Sequence, residues 1–201
     1  MRPEGTRPTD VLGPITIVLG DANVLYPRVL RDYLVYASDQ GAIALRWSRE
    51  ILDEVVEHLA ENIATFTPEQ GDLLIRLLNS AFPYAEVAPS PTARRKVNAL
   101  DLPDGDDRHV LAAAVAAHAD ILCTDNIRDF PHEAMEAVGI ELLSADALLA
   151  RLVTAHPSKM LAAHRSAVTS LTGATDASTI AALRRANATT VADLMAQLLD
   201  L

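Results

Sequence analysis

Four acidic residues stand where a folded chain could bring them to one site. Asp21 and Asp125 each follow a short apolar run, whereas Glu54 and Asp107 lie in segments with helical spacing. Carboxylates held close together repel one another and raise one another's pKa unless a cation neutralises them. All-oxygen ligation suits Mg²⁺ or Mn²⁺ better than zinc. The four residues together therefore predict a divalent metal site, although each one alone is more typical of a turn or a helix cap.

Short apolar runs alternate with amphipathic segments from residue 15 to residue 156. The runs have the composition of buried parallel strands, whose two faces are both covered by helices. The pattern predicts an α/β fold, an αβα sandwich around a parallel sheet, with strands at 15–19, 42–45, 85–88, 121–124 and 140–143. Because ligands bind at the carboxyl ends of such strands, Asp21 and Asp125 are expected at one edge of the sheet.

Helix start signals lie between the predicted strands. Pro27 opens a helix through about Ser38, Ser48 and Ser144 have the character of N-caps, and Thr67 with Gln70 matches a capping box. For the helix after Thr67 we expect an inner face of four leucines, at positions 73, 74, 77 and 78.

The chain divides into three parts by pattern. Residues 1–14 hold three prolines and two glycines without periodicity, which predicts a disordered leader. Residues 15–156 form the predicted α/β domain. Residues 157–201 show helical pattern only and are expected to be a C-terminal appendage that covers a flank of the domain or binds a partner.

Composition excludes several classes of protein. The chain has 17 Lys and Arg against 27 Asp and Glu, a net charge of −10, which argues against a protein that coats DNA through a basic surface. A single cysteine, Cys123, excludes a disulfide framework and a structural zinc site. No secretory signal or membrane-spanning run is evident, and we expect a cytoplasmic protein.

Two choices stay open on residue pattern alone. On a helical wheel Asp53 and Glu54 flank the same apolar stripe at similar angles, so periodicity does not choose between them. Asp104 and Asp106 compete with Asp107 for contact with a metal or with its ligands.

Four blocks of sequence resemble the PIN-domain nucleases, most closely the bacterial VapC-type toxins. They are GDANVLY at 20–26, WSREILDE at 47–54, DGDDRHVLAAA at 104–114 and TDNIRDFP at 124–131. The resemblance implies an acidic Mg²⁺ or Mn²⁺ site and hydrolysis of RNA phosphodiester bonds. It matches Asp21, Glu54 and Asp107 to the acidic residues of the family, and so prefers Glu54 over Asp53.

The remaining site residues follow from the resemblance and from their position. The fourth acidic position falls within 124–126, where we expect Asp125 to act with Asn126 as its helper. Asn23 is expected to hold Asp21 through an amide hydrogen bond, and Asp104 to lie close behind the ligands. The candidates for contact with RNA phosphates are Arg108, His109 and Arg128.

VapC-type toxins are typically held inactive by an antitoxin, so the resemblance implies a partner with a basic segment. It also implies a homodimer, for which the apolar Leu30, Tyr33 and Leu34 of the first helix are candidates. An alternative is a PIN fold without catalysis that binds RNA or serves as a scaffold. A different Mg²⁺ hydrolase is less favoured, because the Asp-x-Asp-x-Thr loop and the P-loop motif are both absent.

Overall fold

The computed structural model describes residues 15–201, and the predicted leader at 1–14 lies outside them. Within residues 15–201, five strands form one parallel sheet in the order β3-β2-β1-β4-β5. The strands are β1 Ile17–Gly20, β2 Ala44–Ser48, β3 Glu86–Val87, β4 Ile121–Cys123 and β5 Glu141–Leu143. The predicted α/β fold is confirmed. Strand β2 begins two residues later than expected, because Gly41 turns the chain at a positive φ of 66° before pairing starts at Ala44.

Eleven α-helices and one short 3₁₀ turn at Ile127–Asp129 occur in the described part of the chain. The first eight helices are α1 Ala22–Leu25, α2 Arg28–Asp39, α3 Arg49–Asn62, α4 Pro68–Ala81, α5 Pro91–Asn98, α6 Arg108–Ala116, α7 His132–Val138 and α8 Ala145–Ala155. Ser48 and Ser144 cap α3 and α8, and Thr67 with Gln70 forms the capping box of α4, as predicted. Helices α1, α5 and α7 were not predicted.

The register of the sheet places the ends of its central strands side by side. Gly20 at the end of β1 pairs with Cys123 at the end of β4, and the amide of Asp21 donates to the carbonyl of Cys123 at 3.0 Å. Asp21 and Thr124 therefore leave the sheet at the same edge. The side chains of Leu19, Leu122 and Cys123 are fully buried, as expected where helices cover both faces.

The predicted inner face of α4 is partly wrong. Leu73 and Leu77 are 47% and 59% exposed, whereas Gly71 and Ile75 are buried. Gly71 allows the close approach, because a Cβ at this position would lie 2.5 Å from Cγ1 of Val56 on α3. The close contact at Gly71 thus determines which face α4 buries. Hydrophobic spacing does not predict this face, because glycine has no apolar side chain.

Three further helices follow the α/β part: α9 Pro157–Thr169, α10 Asp176–Arg185 and α11 Thr189–Leu198. They pack on α2 and α8 and belong to the same hydrophobic cluster as the sheet. Leu30, Tyr33 and Leu34 of α2 are fully buried beneath them. The expectation that these three residues serve a dimer is wrong, because the chain's own C-terminal helices occupy that face.

A buried polar chain joins α2 to these helices. The Tyr33 hydroxyl lies 2.5 Å from Nδ1 of His164, and Nε2 of His164 lies 3.1 Å from the exposed Asp176 at the start of α10. Burial is the main cause that lowers the pKa of His164 and raises that of Tyr33. Both groups are therefore neutral near pH 7, and the contact is a satisfied core hydrogen bond.

None of the helices in residues 15–201 is long and apolar enough to cross a bilayer.

Candidate active site

Asp21 is the most deeply buried acidic residue at this edge of the sheet, with only 4% of its surface exposed. It occupies the N-cap position of α1, where its Oδ1 accepts a hydrogen bond from the amide of Ala22 at 2.7 Å. Its Oδ2 accepts from the Asn23 amide and from the Thr124 hydroxyl, both at 2.7 Å. Burial raises the pKa of Asp21, and the hydrogen bonds from Thr124 and Ala22 act in the opposite direction. One lone pair of Oδ1 stays available for a further contact.

Asn23 connects α1 to the end of β4. Besides its bond to Asp21, its Nδ2 donates to the Thr124 hydroxyl at 2.8 Å, and its Oδ1 accepts from the amide of Asp125 at 2.9 Å. The Thr124 hydroxyl in turn accepts from the amide of Asn126 at 3.1 Å. Thr124 was not among the predicted site residues. Its signal was its place as a polar residue directly after an apolar strand, opposite Asp21 across the predicted sheet.

Asp107 lies at the start of α6 without capping it, which leaves its carboxylate free of a helix-capping bond. Burial, followed by the charges of Asp129, Asp21 and Asp104, raises the pKa of Asp107 to about 6. Asp107 and Asp21 therefore lie in one field of negative charge. Asp129 in the 3₁₀ turn was missed as a site residue, although it stood in one of the quoted sequence blocks.

Glu54 points toward the start of α6 and pairs with His109. Its Oε1 lies 3.2 Å from Nε2 of His109, which is an ion-pair distance. The oxygen is not aligned with the ring N–H, so Nε2 has no hydrogen-bond acceptor. Nδ1 of His109 lies 2.6 Å from the carbonyl of Asp106. Burial acts to lower the pKa of His109, but the contacts with Glu54 and Asp106 outweigh it and raise the pKa to about 9. His109 is therefore a cation at neutral pH.

The structure separates Asp53 from Glu54, which the helical wheel left equivalent. The carboxylate of Asp53 accepts from Nε of Arg49 at 2.8 Å, and both side chains are half-exposed. Asp53 thus faces solvent on the outer side of α3. Glu54 faces His109, and its negative charge helps to raise the pKa of Asp21.

Asp125 and Asn126 are exposed beside this cluster. Oδ1 of Asp125 accepts from the amide of Ala145 at 3.0 Å and so helps to hold the start of α8. No hydrogen bond joins its carboxylate to Asp21, Glu54 or Asp107 within residues 15–201.

The predicted phosphate-binding residues lie in different settings. Nη1 of Arg108 donates to the carbonyls of Val97 and Leu100 at 3.0 and 3.1 Å, which ties its guanidinium to the end of α5. Arg128 is exposed and lines a cavity of about 890 Å³ beside β5. His109 contacts Glu54, as described above.

The chemistry of this cluster fits a hard divalent cation in part. Burial favours the protonated form of both Asp21 and Asp107. Neighbouring carboxylates add to this effect, Glu54 at Asp21 and Asp129, Asp21 and Asp104 at Asp107, and a bound cation relieves such a situation. Across residues 15–201, however, no group of three or more His, Cys, Asp or Glu side chains is arranged to hold a metal ion. Glu54 lies instead at ion-pair distance from His109.

Parallel sheets that gather carboxylates at the ends of their central strands are typical of enzymes that act on phosphate esters with a divalent cation. The family model described as PIN domain matches residues 17–128, more than half of the chain. The chain belongs to the PIN domain family, whose members are generally nucleases that use divalent metal ions. Comparison with curated proteins gave no significant match, and neither did comparison with solved structures.

Proposed function

We propose that this protein is an endoribonuclease that hydrolyses RNA phosphodiester bonds with Mg²⁺ or Mn²⁺. The observation that carries the proposal is the buried Asp21 carboxylate at the edge of the sheet, whose charge, after burial and Asp129, helps to raise the pKa of Asp107 to about 6. A fold gains no stability from two carboxylates that repel each other, so their proximity points to a functional cation.

Asp21, Asp107 and Glu54 are the proposed metal ligands. The Asp21 carboxylate accepts three hydrogen bonds, one each from the Ala22 amide, the Asn23 side chain and the Thr124 hydroxyl. Asp21 therefore loses little conformational freedom when it binds an ion. A bound divalent cation supplies a water of lowered pKa and neutralises charge on the phosphate. Asp125 and Asn126 stay in the proposal as residues near the attacking water, and Asp129 joins them because its charge reaches Asp107.

His109 has a distinct part in this proposal. It carries a positive charge at neutral pH, and its Nε2–H has no aligned acceptor. A non-bridging phosphate oxygen is an acceptor for such a group, and the resulting hydrogen bond is charge-assisted. Binding of RNA would then draw His109 away from Glu54 and release that carboxylate for the cation.

We further propose that the protein is the toxin of a type II toxin–antitoxin pair. A net charge of −10 and a cluster of acidic residues favour association with a basic segment of an antitoxin. A homodimer, which the resemblance implies, would have to use a face other than α2. The exposed Leu73 and Leu77 of α4 offer apolar surface for it.

A PIN fold without catalysis is the second candidate. The pairing of Glu54 with His109 favours it, because the pair satisfies the carboxylate without a metal. In that case the protein binds RNA or serves as a scaffold and cleaves nothing.

Cleavage of total RNA in the presence of Mn²⁺ separates the two candidates. We expect cleavage by the wild type, and loss of cleavage in Asp21→Asn and in Glu54→Gln. Asp53→Asn is the matched control, since Asp53 is adjacent in the same helix but pairs with Arg49 in solvent. Loss in Glu54→Gln with retention in Asp53→Asn supports catalysis at this site. A folded wild type that binds RNA without cutting it supports the second candidate.

A further inference from the structure

The sequence contains one run of three consecutive basic residues, Arg94, Arg95 and Lys96, and the structure places it on α5. The inner face of α5 is formed by Ala93 and Val97, which are buried against the core. All three basic side chains are consequently exposed on the outer surface of the helix. In a chain with a net charge of −10, such a concentration of positive charge is exceptional.

Two contacts fix this basic surface beside the acidic cluster. At one end, Nη2 of Arg94 donates to both carboxylate oxygens of Glu50 at 3.0 and 3.2 Å. Glu50 lies in the first turn of α3, one turn before Glu54, and its charge also acts on His109. The Arg94–Glu50 ion pair thus ties α5 to the first turn of α3, the helix that carries Glu54.

At the other end, Arg108 holds the last turn of α5. Its Nη1 donates to the carbonyls of Val97 and Leu100, which stand at and after the C-terminus of the helix. Arg108 itself stands between Asp107 and His109. The helix that carries the basic surface is therefore tied directly to the turn that carries a proposed metal ligand.

Arg95 and Lys96 are not neutralised by the protein. Within residues 15–201 neither forms an ion pair, and Arg95 makes only a hydrogen bond from Nη2 to the Thr92 hydroxyl at 3.1 Å. Exposed cations on a helix that are left without carboxylate partners attract polyanions. Lys96 borders Val115 and His118 at the far end of α6, while the last turn of α5 is tied to Arg108 beside Asp107. An extended nucleic-acid backbone can follow α5 between these two points, which favours it over an acidic protein.

We propose that α5 binds the phosphate backbone of single-stranded RNA on its way to the acidic cluster, with Arg95 and Lys96 as the phosphate contacts. The proposal rests on the proposed ribonuclease function. Arg94 has a positioning role, because it holds Glu50 and through it the relation of α5 to α3. Arg108, which the sequence analysis assigned to RNA, acts instead by holding α5 in place.

The test measures binding of a short fluorescein-labelled single-stranded RNA by anisotropy, in EDTA and over a range of salt concentrations. Each phosphate contact on a single strand contributes about 0.7 to the slope of log affinity against log salt. We expect Arg95→Gln/Lys96→Gln to lower the magnitude of the slope by about 1.4. Between roughly 50 and 200 mM salt, the RNA affinity of the wild type should then fall about sevenfold more than that of this variant.

Arg184→Gln/Arg185→Gln is the matched control. It removes the same charge from another adjacent basic pair, which lies in the last turn of α10. A lowered slope in the α5 variant together with an unchanged slope in the α10 variant supports the assignment. Equal slopes for the α5 variant and the wild type overturn it, as do equal losses in both variants or a wild type that does not bind the RNA.

The outcome is independent of the cleavage assay. Because EDTA removes divalent ions, binding is measured without catalysis. RNA cleavage with an unchanged salt slope in the α5 variant would reject the surface and keep the nuclease. A lowered slope without any cleavage by the wild type would keep the surface and reject the nuclease.

Discussion

Replacing Asp107 by asparagine should stabilise the protein when no metal is present. The pKa of Asp107 is raised from 3.8 to about 6, so the folded state binds the proton more tightly than the unfolded state. Stability contributed by this group is therefore greatest at low pH, declines as the pH rises from 3.8 to 6, and stays low above that range. A difference of about two pH units corresponds to about 3 kcal/mol, which solvent screening of this half-exposed side chain reduces to about 1 kcal/mol.

Asparagine removes the charge and keeps the shape. In EDTA at neutral pH, Asp107→Asn should unfold with a free energy about 1 kcal/mol larger than the wild type, or at a temperature about 2–4 °C higher. Near pH 3 the gain should disappear, because the carboxyl is then protonated in both states. Addition of Mn²⁺ should reverse the order at neutral pH, since the ion stabilises only the protein that binds it.

Urea unfolding followed by circular dichroism measures these differences. Asp101→Asn is the control, because Asp101 is exposed and forms no hydrogen bond or ion pair within residues 15–201. If Asp107→Asn proves equally stable or less stable than the wild type in EDTA at neutral pH, repulsion among these carboxylates is not a property of the fold, and the argument for a cation loses its basis.

Three further substitutions test other contacts. The raised pKa of His109 contributes stability that is fully present below pH 6.5 and is lost as the pH rises through about 9. His109→Asn should therefore lower the free energy of unfolding by about 1 kcal/mol near pH 6 and by little near pH 10. Urea unfolding at both pH values measures the difference. Tyr33→Phe leaves Nδ1 of the buried His164 without its partner and should lower the free energy of unfolding by about 1–3 kcal/mol. Gly71→Ala should lower the melting temperature, because a Cβ at 2.5 Å from Val56 costs about 1–3 kcal/mol, more than the gain of about 1 kcal/mol in helix propensity.

Each of these has a control in the same chain. His118→Asn replaces an exposed histidine, at a positive φ that asparagine tolerates, and serves as the control for His109→Asn. Tyr36→Phe removes a hydroxyl from the same helix as Tyr33, and Gly105→Ala adds a Cβ that meets nothing within 4 Å. Equal effects of control and test variant would show that the contacts named here do not determine the result.

Local signals predicted the elements that have local causes. Ser48, Thr67 and Ser144 start helices by accepting backbone hydrogen bonds within three residues, and such bonds can be inferred from neighbouring sequence. Helix α5 has the same signals, Ser90 followed by Pro91, and was overlooked. Helix α1 spans four residues, which is too short to show a helical period.

The site was predicted less completely, because its contacts cross the fold. Alternating strands and helices bring the neighbourhoods of Asp21 and Asp107 together, and that step requires only the order of elements. The direction of the Asp125 side chain depends on where α8 begins relative to β4, and the pairing of Glu54 with His109 depends on how α3 packs against α6. Residue spacing does not predict either of these two packing relations, and a single sequence contains no other signal for them.

The place of β1 in the middle of the sheet sets the order in which the centre can be built during translation. Asp21 is synthesised before its hydrogen-bond partner Thr124, which follows 103 residues later. Since domains fold as their residues leave the ribosome, the carboxylate is fixed only after that segment has been made. The proposed nuclease centre is therefore incomplete until β4 has left the ribosome.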